Sequence, residues 1–346
     1  MTTNPAIPRG WATAADVAAR AGVSRSAVSR TFTEGASVSQ ATRERVLKAA
    51  SELGYQVNML ARSVIQRQSN LVGIVVPGMQ NAFVVELLGP LTQNLARHSL
   101  APLLMDVRDP EQMENSLRYL LQYRVAGVIF TSGSPPIELA KEYLRLRVPV
   151  AMINRDANLE NVDVVSSDNH GGGALAAHCL IAAGARRLAY VNLPTGTFSG
   201  VSRGAGFSEA VATSGQASVS VEFLQLQGKS SGYEGGAAIA TQLLDRPAHL
   251  RPDGVFCAND MLAMGFMDAA RHQFGLRVPE DLVVVGFDDI PMSAATSFRL
   301  TTVRQNIGAL AREVVERLVE RIANPSITAR AQFVPVELIA RHSSAR

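Results

Sequence analysis

Residues 16–30 read DVAARAGVSRSAVSR, two short helical patterns on either side of Gly22. A first helix over Ala14 to Ala21 carries Val17, Ala18 and Ala21 on one side and stops at Gly22, the residue best suited to a tight turn with positive φ. Ser24 offers an N-cap for a second helix through about Thr31, since its hydroxyl can accept from the first free backbone N–H groups. A third, longer helix starts after Ser39, runs through TRERVLKAASEL and ends at Gly54, with Val46, Leu47, Ala50 and Leu53 as its predicted inward face. At ~100° per residue, Arg25, Ser26, Ser29 and Arg30 share one arc of the second helix, while Ala27, Val28 and Thr31 lie on the other side.

A polar face on an apolar back suits a helix-turn-helix, whose second helix enters the major groove near its N-terminus. Arginine can form paired hydrogen bonds with guanine O6 and N7, and serine can donate or accept at several base edges. Arg43 and Arg45, near the start of the third helix, suit phosphate contacts that position a domain without reading sequence. Taken alone, two arginines on nine residues are more often an ordinary solvated face. The surroundings tip the balance. Residues 1–69 hold nine Lys/Arg against four Asp/Glu, a charge of +5, and the whole chain is only +3, so the remainder is −2. A basic head on a slightly acidic body implies that the head meets a polyanion and the body does something else.

The chain is 346 residues long, with 47% hydrophobic, 18% charged and 5% aromatic residues, which fits a globular protein of two or three domains rich in aliphatic strands and helices. From Leu71 onward short aliphatic runs alternate with helical stretches. Candidate strands cover 71–77, 100–107, 126–130, 148–153, 187–192, 221–226, 254–260 and 282–289. Amphipathic helices such as ELLGPLTQNLARH lie between most of them, so βαβ units and mainly parallel sheets are expected. Ten or so strands fit two lobes better than one. Asn58 to Asn70, NMLARSVIQRQSN, joins head and body; it is either a plain linker or a segment that orders on binding.

Cys179 and Cys257 lie outside any metal-ligand spacing and read as core thiols of a reducing compartment. Neither a signal peptide nor a membrane span is apparent, so a cytoplasmic protein is expected. The six histidines form no ligand cluster, and no nucleophile elbow or P-loop appears. GGGALAAH lacks the full GxGxxG pattern and reads as helix packing or a helix start. No metal, cofactor or catalytic residue is expected.

Together these segments resemble the lactose-repressor (LacI/GalR) family of bacterial transcription regulators over nearly the whole chain. DVAARAGVSRSAVSR and VSQATRERVLKAASELGYQVN carry the resemblance in the head. In the body LVGIVVP, DNHGGGALAAHCLIAAG, RGAGF, CANDMLAMG, VVVGFDDI and LTTVRQN follow in the family's order and spacing. The resemblance implies an all-α helix-turn-helix head over 1–57, a hinge helix over 58–70, and a two-lobed α/β body over 71–346 like the periplasmic sugar-binding proteins. A small effector then binds between the lobes, and the lobe angle controls whether two hinge helices pair on an operator.

Carried over by position, Arg25, Ser26, Ser29 and Arg30 read bases and contact the DNA backbone, with Asn58, Ala61, Arg62 and Val64 in the hinge and minor-groove segment; Arg43 is a DNA contact on its placement near the start of the third helix. The family usually has a leucine wedge where this chain has Val64, shorter and stiffer at χ1, with Ile65 beside it. In the cleft, Phe83, Asn154, Ser199, Arg203, Asn259 and Asp288 match effector positions. Asn259 and Asp260 are equally consistent with capping the following helix. Asp288, at a strand end, is expected to face the ligand. Ser230 stands where an aromatic platform is common, and Asn154 where an aspartate is. Those departures make an acidic or phosphorylated metabolite more plausible beside a sugar.

The expected protein is a homodimeric repressor on a palindromic double-stranded operator, since one head makes few base contacts and no trailing leucine heptad follows. An enzyme, or the solute-binding protein of a transporter, would share the two-lobed body but would have no use for a basic three-helix head.

Overall fold

The computed structural model describes residues 11–33, 35–57, 69–107, 118–131, 137–155, 161–193, 197–216, 219–225 and 232–346. The chain divides into two compact units, Met1–Ser69 and Asn70–Arg346.

The first unit contains α1 (Ala14–Ala21), α2 (Arg25–Thr31) and α3 (Gln40–Leu53). Each start has a local cause. Thr13 and Asp16 form a reciprocal capping box on α1, Ser24 Oγ accepts from the Ala27 amide, and Ser39 Oγ accepts from the Thr42 amide. Gly22 ends α1 at φ 63°, a left-handed conformation that admits the sharp turn into α2. The core is Val17, Ala18, Ala21, Val28, Val46, Ala49 and Ala50, with Phe32 and Tyr55 packed at its edge.

Two of the residues predicted to face inward on α3 do not. Leu47 and Leu53 are exposed, and Ala49 is buried instead. Helical phase explains Leu47, which stands ~100° from Val46 while Ala49 and Ala50 flank Val46 more closely. Leu53 has the right phase but is the last residue of α3.

The second unit contains two parallel layers of strands. β1 (Leu71–Val76), α4 (Ala82–Arg97), β2 (Ala101–Asp106), β3 (Gly127–Phe130), α5 (Ile137–Arg145), β4 (Val150–Ile153) and β5 (Asp163–Ser167) build most of the first lobe. The chain then crosses to the second lobe through α6 (Asn169–Ala182), β6 (Arg187–Asn192), α7 (Phe198–Thr213), β7 (Ser220–Gln225), α8 (Tyr233–Leu244), β8 (Gly254–Cys257), α9 (Asp260–His272), β9 (Val283–Asp288) and β10 (Thr301–Gln305). It returns through α10 (Ile307–Ala323) and β11 (Ala331–Val334), and crosses once more to β12 (Val336–Ile339). The sheet orders are β11-β5-β4-β3-β1-β2 and β12-β10-β9-β8-β6-β7. Every neighbouring pair is parallel except β10 with β12. The three crossings fall beside Asp168, Asn306 and Pro335.

Hydrophobic clusters cover both faces of the first sheet, and another fills the second lobe. Buried ions tie α10 to the first sheet: Asp163, at the head of β5, accepts from Arg317 and Arg321. Two close helix crossings fix the second lobe. At one of them the α6 backbone at Gly173 lies against the Arg203 carbonyl, and the α7 backbone at Gly206 lies against the His170 carbonyl; a Cβ at either glycine would overlap those atoms. GGGALAAH is therefore a helix start and a packing surface, with Asp168 capping it through the Gly171 amide.

Eight strands match the predicted runs, while β5, β10, β11 and β12 were not among the candidates. β5 and β10 are buried strands of polar composition, DVVSS and TTVRQ, which break the apolar signal. Cys257 is a core thiol, whereas Cys179 is only half-buried. His178 is on the surface.

Candidate functional site

In the head, α2 separates its two faces. Arg25, Ser26, Ser29 and Arg30 are exposed, while Ala27, Val28 and Thr31 are buried against α1 and α3. Arg43 is half-buried, and its Nη1 donates to the Thr31 carbonyl at 3.0 Å, bracing the C-terminal end of α2. Arg45 and Lys48 stay exposed on α3. Asn58, Ala61, Arg62, Val64 and Ile65 lie outside the described residues, as does Ser230.

In the body the polar residues gather at the carboxyl ends of the strands, where ligands bind in open α/β sheets. Arg203, on α7, is 4% exposed. Its Nε donates to Asn169 Oδ1 at 2.9 Å and its Nη1 to the Ala258 carbonyl, and the guanidinium carbon lies 3.5 Å over the Phe287 ring. Planar stacking and forked donors of this kind suit arginine and not lysine. Nη2 makes no hydrogen bond among the described residues.

Asp288 ends β9 with φ 122°, and Asp289 follows at φ 60°. Two successive non-glycine residues at positive φ are strained and need outside support. Asp289 supplies it by accepting from Arg341 Nη2 at 2.6 Å, Arg304 Nε at 2.6 Å and Ser293 Oγ at 3.1 Å. Burial raises the Asp289 carboxyl, but these donors outweigh it and leave the group below its usual range. The turn so held aims Asp288 toward Arg203, with Oδ1 3.8 Å from Nη1.

Burial pushes Asp288 up to about 6, against the opposing pull of Arg203 and of a hydrogen bond from Gln305. Arg203 is lowered by burial, partly offset by Asp288. Asp260 is fully buried and raised too, by burial first and Asp288 second, although it accepts from Thr302 Oγ1 and the Ile290 amide. The cluster holds two acids for one arginine in a dry setting, so protons are retained where water would release them.

Asn154 follows β4 at φ 52° and is 3% exposed. Its Oδ1 accepts from the Ser167 amide at 2.8 Å, and its Nδ2 donates to Gln305 Oε1 at 3.1 Å. The structure thus joins Asn154, Arg203 and Asp288 into one network through Asn169 and Gln305, which the sequence reading did not single out. DNHGGG and LTTVRQN contain both, but Gln305 lies on β10, a strand absent from the candidates, so nothing placed it at a strand end. Ser199 is buried one turn before Arg203 on α7. Asn259 caps α9 by accepting from the Leu262 amide at 2.8 Å and follows Ala258, whose carbonyl holds Arg203. Asp260 instead bonds inward to β10. Phe83 packs in the apolar core of the first lobe, apart from these polar contacts.

Residues 13–58 match the bacterial regulatory proteins of the lacI family, and residues 177–344 match the periplasmic binding protein-like domain. The ribose operon repressor of Halalkalibacterium halodurans is 31% identical over 330 residues, covering 95% of this chain and 96% of that protein. Among solved structures, a transcriptional regulator CelR–cellobiose complex is 30% identical at a TM-score of 0.72, covering 96% of this chain and 99% of the other. The Lac repressor dimer bound to operator and the anti-inducer ONPF is 26% identical at a TM-score of 0.84, covering 97% and 99%. These relatives are transcriptional regulators, not enzymes. With a helix-turn-helix head and a two-lobed periplasmic-binding-protein-like body along its length, the chain belongs to the LacI family of bacterial regulatory proteins and is a DNA-binding transcriptional regulator.

Proposed function

We propose that the exposed face of α2 reads a palindromic operator for a homodimer, and that a small polar effector held by Arg203 and Asp288 sets the affinity of that binding. In this reading residues 1–57 bind DNA, 58–70 form the hinge, and 71–346 bind effector and dimerise. The observation that carries it is the buried Arg203–Asp288 couple at the strand ends. A guanidinium beside a carboxylate presents donors and an acceptor side by side, which matches adjacent hydroxyls of a sugar. The ribose operon and cellobiose relatives support the sugar class. Arg25, Ser26, Ser29 and Arg30 contact bases and backbone, Arg43 and the hinge residues Asn58, Ala61, Arg62 and Val64 contact DNA, and Asn154, Ser199, Asn259 and Phe83 shape the effector site.

A second reading, an acidic sugar derivative or other acidic metabolite, is favoured by Asn154 and by Asp288 itself. Asn154 is neutral, and an acid that titrates at about 6 can be protonated, leaving Arg203 as an unopposed cation. Repression in the cytoplasm follows from the family's habit, and among the described residues no helix is long and apolar enough to cross a membrane. The test is selection of an operator from random duplex DNA, followed by titration with neutral sugars and their phosphates. Loss or gain of operator affinity on adding one of them supports the reading; binding to DNA without any sequence preference overturns it.

A further inference from the structure

Ser167 is the last residue of β5, where the chain leaves the first lobe, and Gln305 is the last residue of β10, where it returns. The two side chains meet: Ser167 Oγ donates to Gln305 Oε1 at 2.6 Å. Gln305 is 3% exposed, and both ends of its amide are engaged. On the second-lobe side its Nε2 donates to Asp288 Oδ1 at 2.6 Å. On the first-lobe side its Oε1 also accepts from Asn154 Nδ2 at 3.1 Å.

We propose that Gln305 couples occupancy of the Arg203–Asp288 site to the angle between the two lobes, acting as a positioning residue and not as an effector ligand. The proposal rests on the reading of that site given above. An amide has donors at one end and acceptors at the other, so Gln305 cannot serve Asp288 and the first lobe in the reverse orientation. An effector hydroxyl that donates to Asp288 Oδ1 competes with Gln305 Nε2 for the same oxygen. When Nε2 loses that acceptor the amide turns, and a buried donor without a partner drives it to find another. Turning it withdraws Oε1 from Ser167 and Asn154, and these bonds join one lobe to the other at two of the three crossings. A local contact thereby becomes a change in lobe angle, because packed lobes shift between discrete arrangements instead of deforming smoothly.

Asn154 fits the same device. Its Nδ2 supplies the hydrogen that Gln305 Oε1 accepts, and an aspartate at this position would present only acceptors when ionised. Its own Oδ1 accepts from Asn169 Nδ2 at 3.4 Å, and Asn169 Oδ1 accepts from Arg203 Nε at 2.9 Å. The ring of contacts therefore runs Asp288, Gln305, Asn154, Asn169, Arg203, and closes across the 3.8 Å gap between Arg203 and Asp288. An effector at that gap touches both ends of the ring.

The test uses the full chain with Cys179→Ser and Cys257→Ala, spin-labelled at Gln93→Cys on α4 and Gln242→Cys on α8, and diluted with unlabelled chain. Inter-lobe distances by pulsed electron resonance are compared for the parent, Gln305→Leu and Ser167→Ala, without added ligand. Both variants are expected to broaden or shift the distribution, Ser167→Ala less than Gln305→Leu. Parent-like distributions in both would overturn the proposal, and Ser167→Ala decides alone if Gln305→Leu does not fold. In a second arm, D-ribose and D-ribose 5-phosphate are added to protein on its selected operator. Gln305→Leu is expected to move operator affinity without sugar toward the value the wild type has with sugar, and so to bring the ratio of affinities with and without sugar to within about twofold of one. A wild-type ratio in that variant contradicts the proposal. If neither probe changes operator binding by the wild type, the choice of effector class fails, and the distance arm still decides the role of Gln305.

Discussion

Arg203 and Asp288 face each other across 3.8 Å, too far for a direct hydrogen bond and close enough for each to set the other's ionisation. Both are buried, and each is held by other groups: Arg203 by Asn169, Ala258 and the Phe287 ring, Asp288 by Gln305 and the strained turn. Arg203→Lys keeps a charge but loses the fork and the stacking. It is expected to weaken ligand binding about tenfold or more while operator binding persists. A thermal-shift screen against small polar metabolites checks this, since a ligand that binds only the folded state raises the apparent Tm; an undiminished shift in the variant removes Arg203 from the site.

The Asp288 carboxyl titrates at about 6 in the fold against an ordinary 3.8. Its folded value is the higher one, so its contribution to stability is present below pH ~4 and is lost as pH rises through ~6. The difference amounts to about 3 kcal/mol, a few degrees in Tm for a unit of this size. Asp288→Asn is therefore expected to gain stability relative to wild type between pH 4 and pH 7. Melting curves of both proteins across that range test it, and parallel curves would show that Asp288 titrates normally.

Arg341 reaches Asp289 from the C-terminal segment, which Ser343 pins to the second lobe by donating to the Val284 carbonyl. Arg341→Ala removes one of the donors that hold the turn at Asp288 and Asp289. The expected outcome is a loss of ligand affinity of about tenfold with operator binding unchanged. Calorimetric titration of the variant measures it; wild-type affinity would mean that Arg304 and Ser293 suffice.

Ser24 caps α2 through the Ala27 amide. Ser24→Ala is expected to destabilise the head by about 1 kcal/mol and to lower operator affinity, with the salt dependence of binding unchanged because no phosphate contact is lost. Salt titrations of wild type and variant measure this, and a changed slope would place Ser24 on the DNA backbone.

Much of this was legible in the sequence, and the parts that were not share a cause. The head follows from local rules: Gly22, Ser24 and Ser39 punctuate the helices, and the phase of Val28 against Arg25 and Ser29 separates core from surface. The inward assignment failed at Leu47, which is out of phase with Val46, and at Leu53, which has the phase but ends α3. In the body, strands with unbroken aliphatic runs were found, whereas β5 and β10 were missed because Asp163, Ser167, Thr301, Thr302 and Gln305 are buried polar residues. Their partners come from distant parts of the chain: Asp163 meets Arg317 and Arg321, and Gln305 meets Asn154 and Asp288. No local pattern encodes such pairs. Position-by-position likeness to a family located Arg203 and Asp288, and only the folded chain shows what stands between them.

The central claim is that the exposed face of α2 reads DNA bases. Its most direct test compares wild type and Arg25→Ala on the selected operator and on scrambled duplex, at matched salt. The wild type is expected to prefer the operator by at least about a thousandfold. Arg25→Ala is expected to lose about 1–3 kcal/mol of that preference while binding scrambled DNA nearly as before. An unchanged preference and footprint in Arg25→Ala would contradict the claim.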